Sequence, residues 1–410
     1  MKVMLAILAQ FVGLSGGSER VCCQMANALH DMGYEVSIVY SYGKVEKPYW
    51  GLHKEIKLYN VMEEHSEKWH GDMVSNHVST TDKFIREILR LFNSKVARNW
   101  NERCIGNLIK DDLKSILDHE KPDLIISYWC ETSSYLINDC KINIPVITMF
   151  HVEPKNRLKE ATKRELNALN RCHAIQVLLP GDMEYVKKYC PHIKTVCIPN
   201  TVPQYEEQAA LCVSKKQHKI IYVARLEAFP KNQHFLIESF AKVAHEFPDW
   251  IIELWGQEEN SRKHYREYLE KIILNLGLKK QVFLCGTTKN ILEKYLNADF
   301  CAFPSLSEGF ALAMTEAMSA GLPVVGLREC KAISEIVEDG KSGLLATNDT
   351  TDFSKKLYQL MQNQQLRVVM GRYAKQQMAK FAENIIWEQW DSLIKECKKD
   401  DERDERKEFL

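Results

Sequence analysis

Apolar residues along the chain recur in two alternating patterns. Short unbroken runs predict buried strands, and runs spaced at three and four residues predict helices. Val3–Leu8 is the first short run. A glycine turn at Gly13–Gly17 follows, then Ser18, suited to cap a helix, and Glu19, which favours a helix N-terminus. Val21–Met32 has helical spacing and stops at Gly33, and Glu35–Tyr40 is the next strand. Strand, glycine loop, helix, strand is the opening of a parallel doubly wound sheet. Residues 50 to 80 carry no clear period. Val78–Leu117 reads as largely helical, and Leu124–Tyr128, Val146–Phe150, Ala174–Leu179 and Val196–Ile198 read as further strands.

Pro199 to about Lys219 is polar and suits a linker. A second alternation follows, with strands at Ile220–Val223, Ile251–Leu254, Val282–Cys285, Phe300–Phe303 and Pro323–Gly326. The helices between them are expected at Gln233–Glu246, Ser261–Leu276, Ile291–Asn297 and Phe310–Ala320, and a last one at about Ile385–Lys395. The fold class is therefore α/β, with two Rossmann-like doubly wound domains facing a central cleft. The expected bounds are 1–202 for the first domain, 203–218 for the linker and 219–381 for the second. A helix at about 382–397 rejoins the first domain, and a charged tail at 398–410 is expected to be solvated or disordered.

Length agrees with two domains, because one core rarely grows past about 250–300 residues and the chain has 410. The 55 basic residues balance the 55 acidic ones, so no global field points to nucleic acid. Thirteen cysteines are scattered with no C-x-x-C, which argues against a structural zinc site and for free thiols in a reducing compartment. Lys2 with the apolar run to Leu14 has the look of a signal peptide, but Gln10 interrupts it and the βαβ pattern continues through it. No run approaches the roughly 20 apolar residues of a membrane span, so a cytoplasmic protein is expected.

The strongest chemical signal is the segment from Ser307 to Val325. Glu308 falls in the loop after a strand, and Glu316 on the helix that follows. Taken as eight helical steps, they lie about 12 Å apart along the axis and about 80° around it. Two acids so placed suit the two hydroxyl-bearing ends of a nucleotide sugar, with free helix N–H groups between them for a diphosphate. The second signal is Val223–Gln233, where a strand delivers Arg225 and the next helix opens after Lys231. Two such cations can clamp a diphosphate. No Asp-x-Asp occurs to hold a metal in their place. Gly16-Gly17-Ser18-Glu19-Arg20 allows close backbone approach to a ligand, and Phe150-His151 and Gly286-Thr287 close two further strands.

These motifs resemble the retaining glycosyltransferases of family four, the glycosyl transferases group 1, which have the GT-B fold. The resemblance rests on Glu308-x7-Glu316 followed by Ala-Met-Ser-Ala-Gly-Leu-Pro-Val-Val, on Arg225 and Lys231, and on the N-terminal Gly-Gly-x-Glu-Arg. It implies that Glu308 contacts the donor sugar and Glu316 the ribose. The backbone of Gly309, Phe310, Ala311 and Leu312 would hold the phosphates, and Arg225 and Lys231 would neutralise the leaving diphosphate. His151 would reach toward the sugar, Gly16 and Gly17 would face the donor phosphates or the acceptor, and Thr287 would approach the base. Asn232 stands where the family often has Gly, Thr201 replaces the Gly of an interdomain Pro-Asn-Gly-Val, and Glu258 replaces the second Gly of a Gly-x-Gly begun by Gly256.

The implied reaction moves a sugar from a nucleotide diphosphate, expected to be UDP, with no metal or other cofactor. The acceptor would be a carbohydrate or a lipid-linked molecule of bacterial surface polysaccharide or glycolipid synthesis. The competing reading is a non-catalytic partner that stabilises an active transferase. Residues 83–110 hold seven Lys/Arg against two Glu, interleaved with Phe84, Ile85, Ile88, Leu89, Leu91 and Phe92. Such a helix suits peripheral contact with an anionic membrane, or packing of its apolar face on the first sheet.

Overall fold

A computed structural model of the chain describes residues 1–44, 46–64, 73–258 and 264–408. It divides into two compact units, Met1–Pro199 with Ile386–Leu410, and Asn200–Ile385.

The first unit is built on seven parallel strands, β1 Lys2–Ile7, β2 Glu35–Tyr40, β3 Lys57–Asn60, β4 Leu124–Ser127, β5 Val146–Met149, β6 Ala174–Val177 and β7 Lys194–Cys197. Their order is β3-β2-β1-β4-β5-β6-β7. Val3–Ile7 are wholly buried, as expected of a central strand covered on both faces. Helix α1 (Gly17–Asp31) joins β1 to β2. Its N-cap is Gly16, with no side-chain cap, so Ser18 sits inside the first turn instead of capping it.

The segment read as largely helical holds two helices, α2 (Thr80–Phe92) and α3 (Ser94–Glu120). Asn93 breaks them with extended backbone, and its Oδ1 accepts from the N–H groups of Lys95 and Val96. Ile109, Leu113, Ile116 and Leu117 of α3 enter the core. No residue of α2 is buried, and Phe84, Ile88, Leu91 and Phe92 stay exposed on it. The apolar stripe of α2 is therefore not packed on the sheet.

The second unit has six parallel strands, β8 His218–Val223, β9 Trp250–Trp255, β10 Val282–Gly286, β11 Phe300–Phe303, β12 Val324–Leu327 and β13 Gly343–Ala346, in the order β10-β9-β8-β11-β12-β13. Helix α4 (Gln233–Ala241) follows β8, and α5 (Leu312–Ser319) lies between β11 and β12. Helix α5 starts later than its apolar spacing predicts, because Ala311 takes left-handed backbone just before it, whereas α4 starts where expected and ends early, at Ala241, ahead of a separate turn at Ala244–Glu246. The stretch 203–218 packs within this unit, with Ala209 and Leu211 buried and Ser319 Oγ donating to the Pro203 carbonyl.

The last helix, α6 (Glu383–Glu408), returns to the first unit. Ile386, Trp390, Leu393, Ile394 and Cys397 are buried, and Tyr34 Oη donates to Asp391 Oδ1 at 2.7 Å. The charged tail, expected to be solvated or disordered, continues this helix through Glu408.

Candidate active site

In the second sheet the strand order reverses between β8 and β11. Loops leaving the carboxyl ends of two such strands diverge to opposite sides, and the gap between them is where ligands bind in open α/β sheets. Both major motifs arise there. Arg225 and Lys231 follow β8, and Ser307–Leu312 follows β11.

The two loops are tied to one another. Tyr222, buried at the end of β8, donates from its hydroxyl to the Lys231 carbonyl at 2.7 Å and lies 2.8 Å from Ser305 Oγ. Leu306 N–H donates to the Pro230 carbonyl at 2.9 Å. Asn232 Nδ2 donates to the Pro304 carbonyl at 3.2 Å. The turn is also closed on itself, by Gln233 Nε2 donating to the Arg225 carbonyl at 2.6 Å and Asn232 N–H to the Glu227 carbonyl. Asn232 has φ of 59°, a conformation that glycine adopts freely and asparagine tolerates better than most residues. That accounts for asparagine at a position where glycine is frequent.

On this frame Lys231 Nζ meets Glu308 Oε1 at 2.7 Å, with the side chains 17% and 12% exposed. The structure thus brings two of the expected residues into direct contact. Arg225 points more to solvent, 55% exposed, with Nη2 at 3.9 Å from Glu227 Oε2. Glu316 is buried on α5. Glu308 lies four residues before α5 begins, so the count of eight helical steps between the two acids does not hold.

Gly309, Phe310 and Ala311 lead into α5. Phe310 is buried edge-on against Phe381, and Ala311 is the left-handed N-cap with no side chain bonded to the helix. The first N–H groups of α5, at Leu312 and Ala313, lack intrahelical acceptors by the geometry of any helix start, and carry its positive dipole end. Thr287 is exposed after β10, two strands from β8 and so roughly 10 Å away across the sheet.

Gly256 shapes the neighbouring strand end. Its φ is +145°, and a Cβ there would meet the Ala224 carbonyl oxygen at 1.9 Å. Glu258, the departure from Gly-x-Gly, uses its Oε1 to accept from the N–H groups of Tyr265 and Arg266, at the start of the helix Tyr265–Asn275.

The remaining expected residues lie in the first unit. Gly16 and Gly17 open α1 after β1. His151 follows β5, stacked on Tyr128 at 4.7 Å between ring centroids and edge-on to Trp129 at 5.7 Å. Its Nε2 is sealed from solvent with no hydrogen-bond partner, and burial pushes the imidazole down to about 3. A neutral ring with an unsatisfied nitrogen is suited to exchange a hydrogen bond with a bound hydroxyl.

Sequence reasoning missed Tyr222, Ser305 and Gln233, which set the loops, and Tyr128 and Trp129, which hold His151. A polar-tipped aromatic closing an apolar strand was the available signal at 222 and 128.

Residues 204–377 match the family model for glycosyl transferases group 1. An exopolysaccharide phosphotransferase of Streptomyces coelicolor is 28% identical over 225 residues, 54% of this chain, which spans 23% of that relative's length. The GalNAc-alpha-(1->4)-GalNAc-alpha-(1->3)-diNAcBac-PP-undecaprenol alpha-1,4-N-acetyl-D-galactosaminyltransferase of Campylobacter jejuni is 23% identical, over 94% of this chain and 96% of its own. Among solved structures, an S. aureus TarM variant in complex with Fondaparinux, alpha-GlcNAc-glycerol and UDP superposes with a TM-score of 0.72, at 16% identity, over 96% of this chain and 99% of the other. The second sheet thus lies within a region that matches the glycosyl transferases group 1, and the chain as a whole has the GT-B fold, with its two parallel sheets.

Proposed function

We propose that the chain is a retaining, metal-independent transferase that takes a sugar from a UDP-sugar and delivers it to a glycan or lipid-linked acceptor of surface polysaccharide or glycolipid synthesis. The observation that carries this reading is the Lys231–Glu308 contact at the strand-order reversal, directly ahead of the amino end of α5. A diphosphate entering there competes with Glu308 for the ammonium and gains the helix N–H groups. Arg225, exposed on the same turn, adds a second cation. Glu308, released, accepts from sugar hydroxyls, and Glu316 takes the ribose.

In the reaction the acceptor oxygen bonds to the anomeric carbon on the face the leaving group departs from. The bond from that carbon to the phosphate oxygen breaks, its electron pair stays on the diphosphate, and that oxygen takes the acceptor proton. Fixed cations and amides that favour the developing charge lower the barrier, an effect often worth several kcal/mol. No metal is required where side chains already supply the charge. The relative's undecaprenol-linked substrate name and the exposed apolar stripe of α2 support an acceptor held at a membrane surface.

Purified protein incubated with a panel of nucleotide sugars is expected to release free UDP from one of them. Lys231→Ala and Glu316→Ala should each lower that turnover at least about tenfold, about 1.4 kcal/mol of barrier, while keeping wild-type circular dichroism. Full rates in both variants would refute the assignment, and loss of all donor turnover in the wild type would favour the non-catalytic partner.

A further inference from the structure

The far end of α1 carries a cluster that sugar transfer does not use. His30 and Asp31 close the helix, and His53 stands on the loop after Gly51. That loop is fixed in register with the helix by one side chain. Asn27 Nδ2 donates to the Gly51 carbonyl at 3.0 Å, and Asn27 Oδ1 accepts from His53 N–H at 2.9 Å. Positions 27, 30 and 31 share one side of a helix end, so holding the loop on Asn27 brings His53 over the other two.

The result is a compact set of donors. His53 Nε2 is 3.2 Å from Asp31 Oδ1, and His30 Nδ1 is 3.6 Å from the same oxygen. All three ligand atoms lie within 4.8 Å of one another, and the two rings are 5.1 Å apart. His30 Nδ1 is sealed from solvent and has no hydrogen-bond partner. A buried ring nitrogen left unsatisfied costs free energy unless something occupies it.

We propose that His30, Asp31 and His53 bind a divalent transition-metal ion, with Zn²⁺ the best match. Two imidazole nitrogens and one carboxylate oxygen suit the borderline ions, whereas Mg²⁺ and Ca²⁺ prefer all-oxygen shells. Metal–ligand bonds of about 2.0–2.1 Å in a tetrahedron put the donors about 3.3 Å apart. Two of the three separations are already near that value. The third closes by rotation of His53, which is 42% exposed on its loop, and water completes the shell. The ion would clamp the loop at 51–53 to the end of α1. It sits about 20 Å along that 15-residue helix from Gly16 and Gly17, so its role is to stiffen the first unit, separate from the transfer chemistry.

The test uses the full chain without an affinity tag, stripped with a chelator and titrated with Co²⁺ as a spectroscopic probe, then with Zn²⁺ in competition. One equivalent of cobalt is expected to give visible ligand-field bands without thiolate charge transfer, and zinc should abolish them. His53→Gln, on the exposed loop, should weaken binding at least about tenfold, His30→Ala likewise, and His192→Ala should leave it unchanged. Zn²⁺ should raise the melting temperature of the wild type but not of His53→Gln. Acidification should release the ion, because only neutral imidazoles ligate. Absence of a cobalt spectrum, unchanged binding in both histidine variants, or a thiolate signature assigning the ion to cysteines would each overturn the proposal.

Discussion

Lys231 and Glu308 are far apart in sequence and make one ion pair, and their partial burial decides how that pair behaves. In water such a contact is worth little, but out of water each charge needs the other or a ligand. Under the proposed function, an incoming diphosphate would meet a cation that is already largely desolvated. His151 makes the opposite case, a titratable group held neutral. Its ring is pushed down to about 3 by burial, against about 6.5 for an unstructured histidine. Between those values the unfolded chain takes a proton that the folded chain refuses, so stability is present above about 6.5 and is lost as pH falls toward 3. At pH 5 that loss amounts to about 2 kcal/mol. His151→Phe, which keeps a ring against Tyr128, should lessen the fall in urea midpoint between pH 7 and pH 5. An identical fall in the variant would show that His151 does not carry it.

Elements were legible where one physical signal dominated. Central strands such as β1 and β11 read clearly because both faces are covered and the run is unbroken. Two strands escaped. β3 is an edge strand of sequence Lys-Leu-Tyr-Asn, and β13 is a four-residue run at the other sheet's edge. Neither has a period to detect. The spacing of α2 showed an apolar stripe but not which neighbour would cover it. The Glu308–Glu316 motif gave the right loop and helix, yet helix counting misjudged its geometry, because the left-handed residue at Ala311 delays the helix start. Glycines show the same limit, since composition does not separate a required one from a tolerated one. Gly256→Ala should cost about 1–3 kcal/mol, and should lower donor turnover by displacing Ala224 and with it Arg225. Gly277 also has positive φ, at +72°, but nothing lies within 4 Å of its missing Cβ, so Gly277→Ala should be milder, about 1 kcal/mol. Thermal melts of the two variants, with turnover measured beside them, check the ranking. Equal melting temperatures would remove the steric argument at Gly256.

For the molecule as a whole, no helix among the described residues is long and apolar enough to cross a membrane. Separately, the proposed lipid-linked acceptor calls for a surface element that meets a membrane, and α2 is suited to it. Leu91 and Phe92 are each 84% exposed, beside the basic excess of residues 83–110. Flotation with vesicles rich in anionic lipid should carry the protein upward at low salt, and purely zwitterionic vesicles should not. Leu91→Asp with Phe92→Asp should weaken binding at least about tenfold. Wild-type protein that stays at the bottom of every gradient would remove the membrane from the account. The division of the chain has a further consequence. The first unit is made of two stretches, with the whole second unit strung between them. Trp390 and Ile394 come from the late segment and are buried in the early unit. During translation, then, the early stretch of the first unit is joined by its late stretch only after the whole second unit has been made. Until residues past Ile386 leave the ribosome, it presents a greasy vacancy that a chaperone, or a neighbouring nascent chain, is free to occupy.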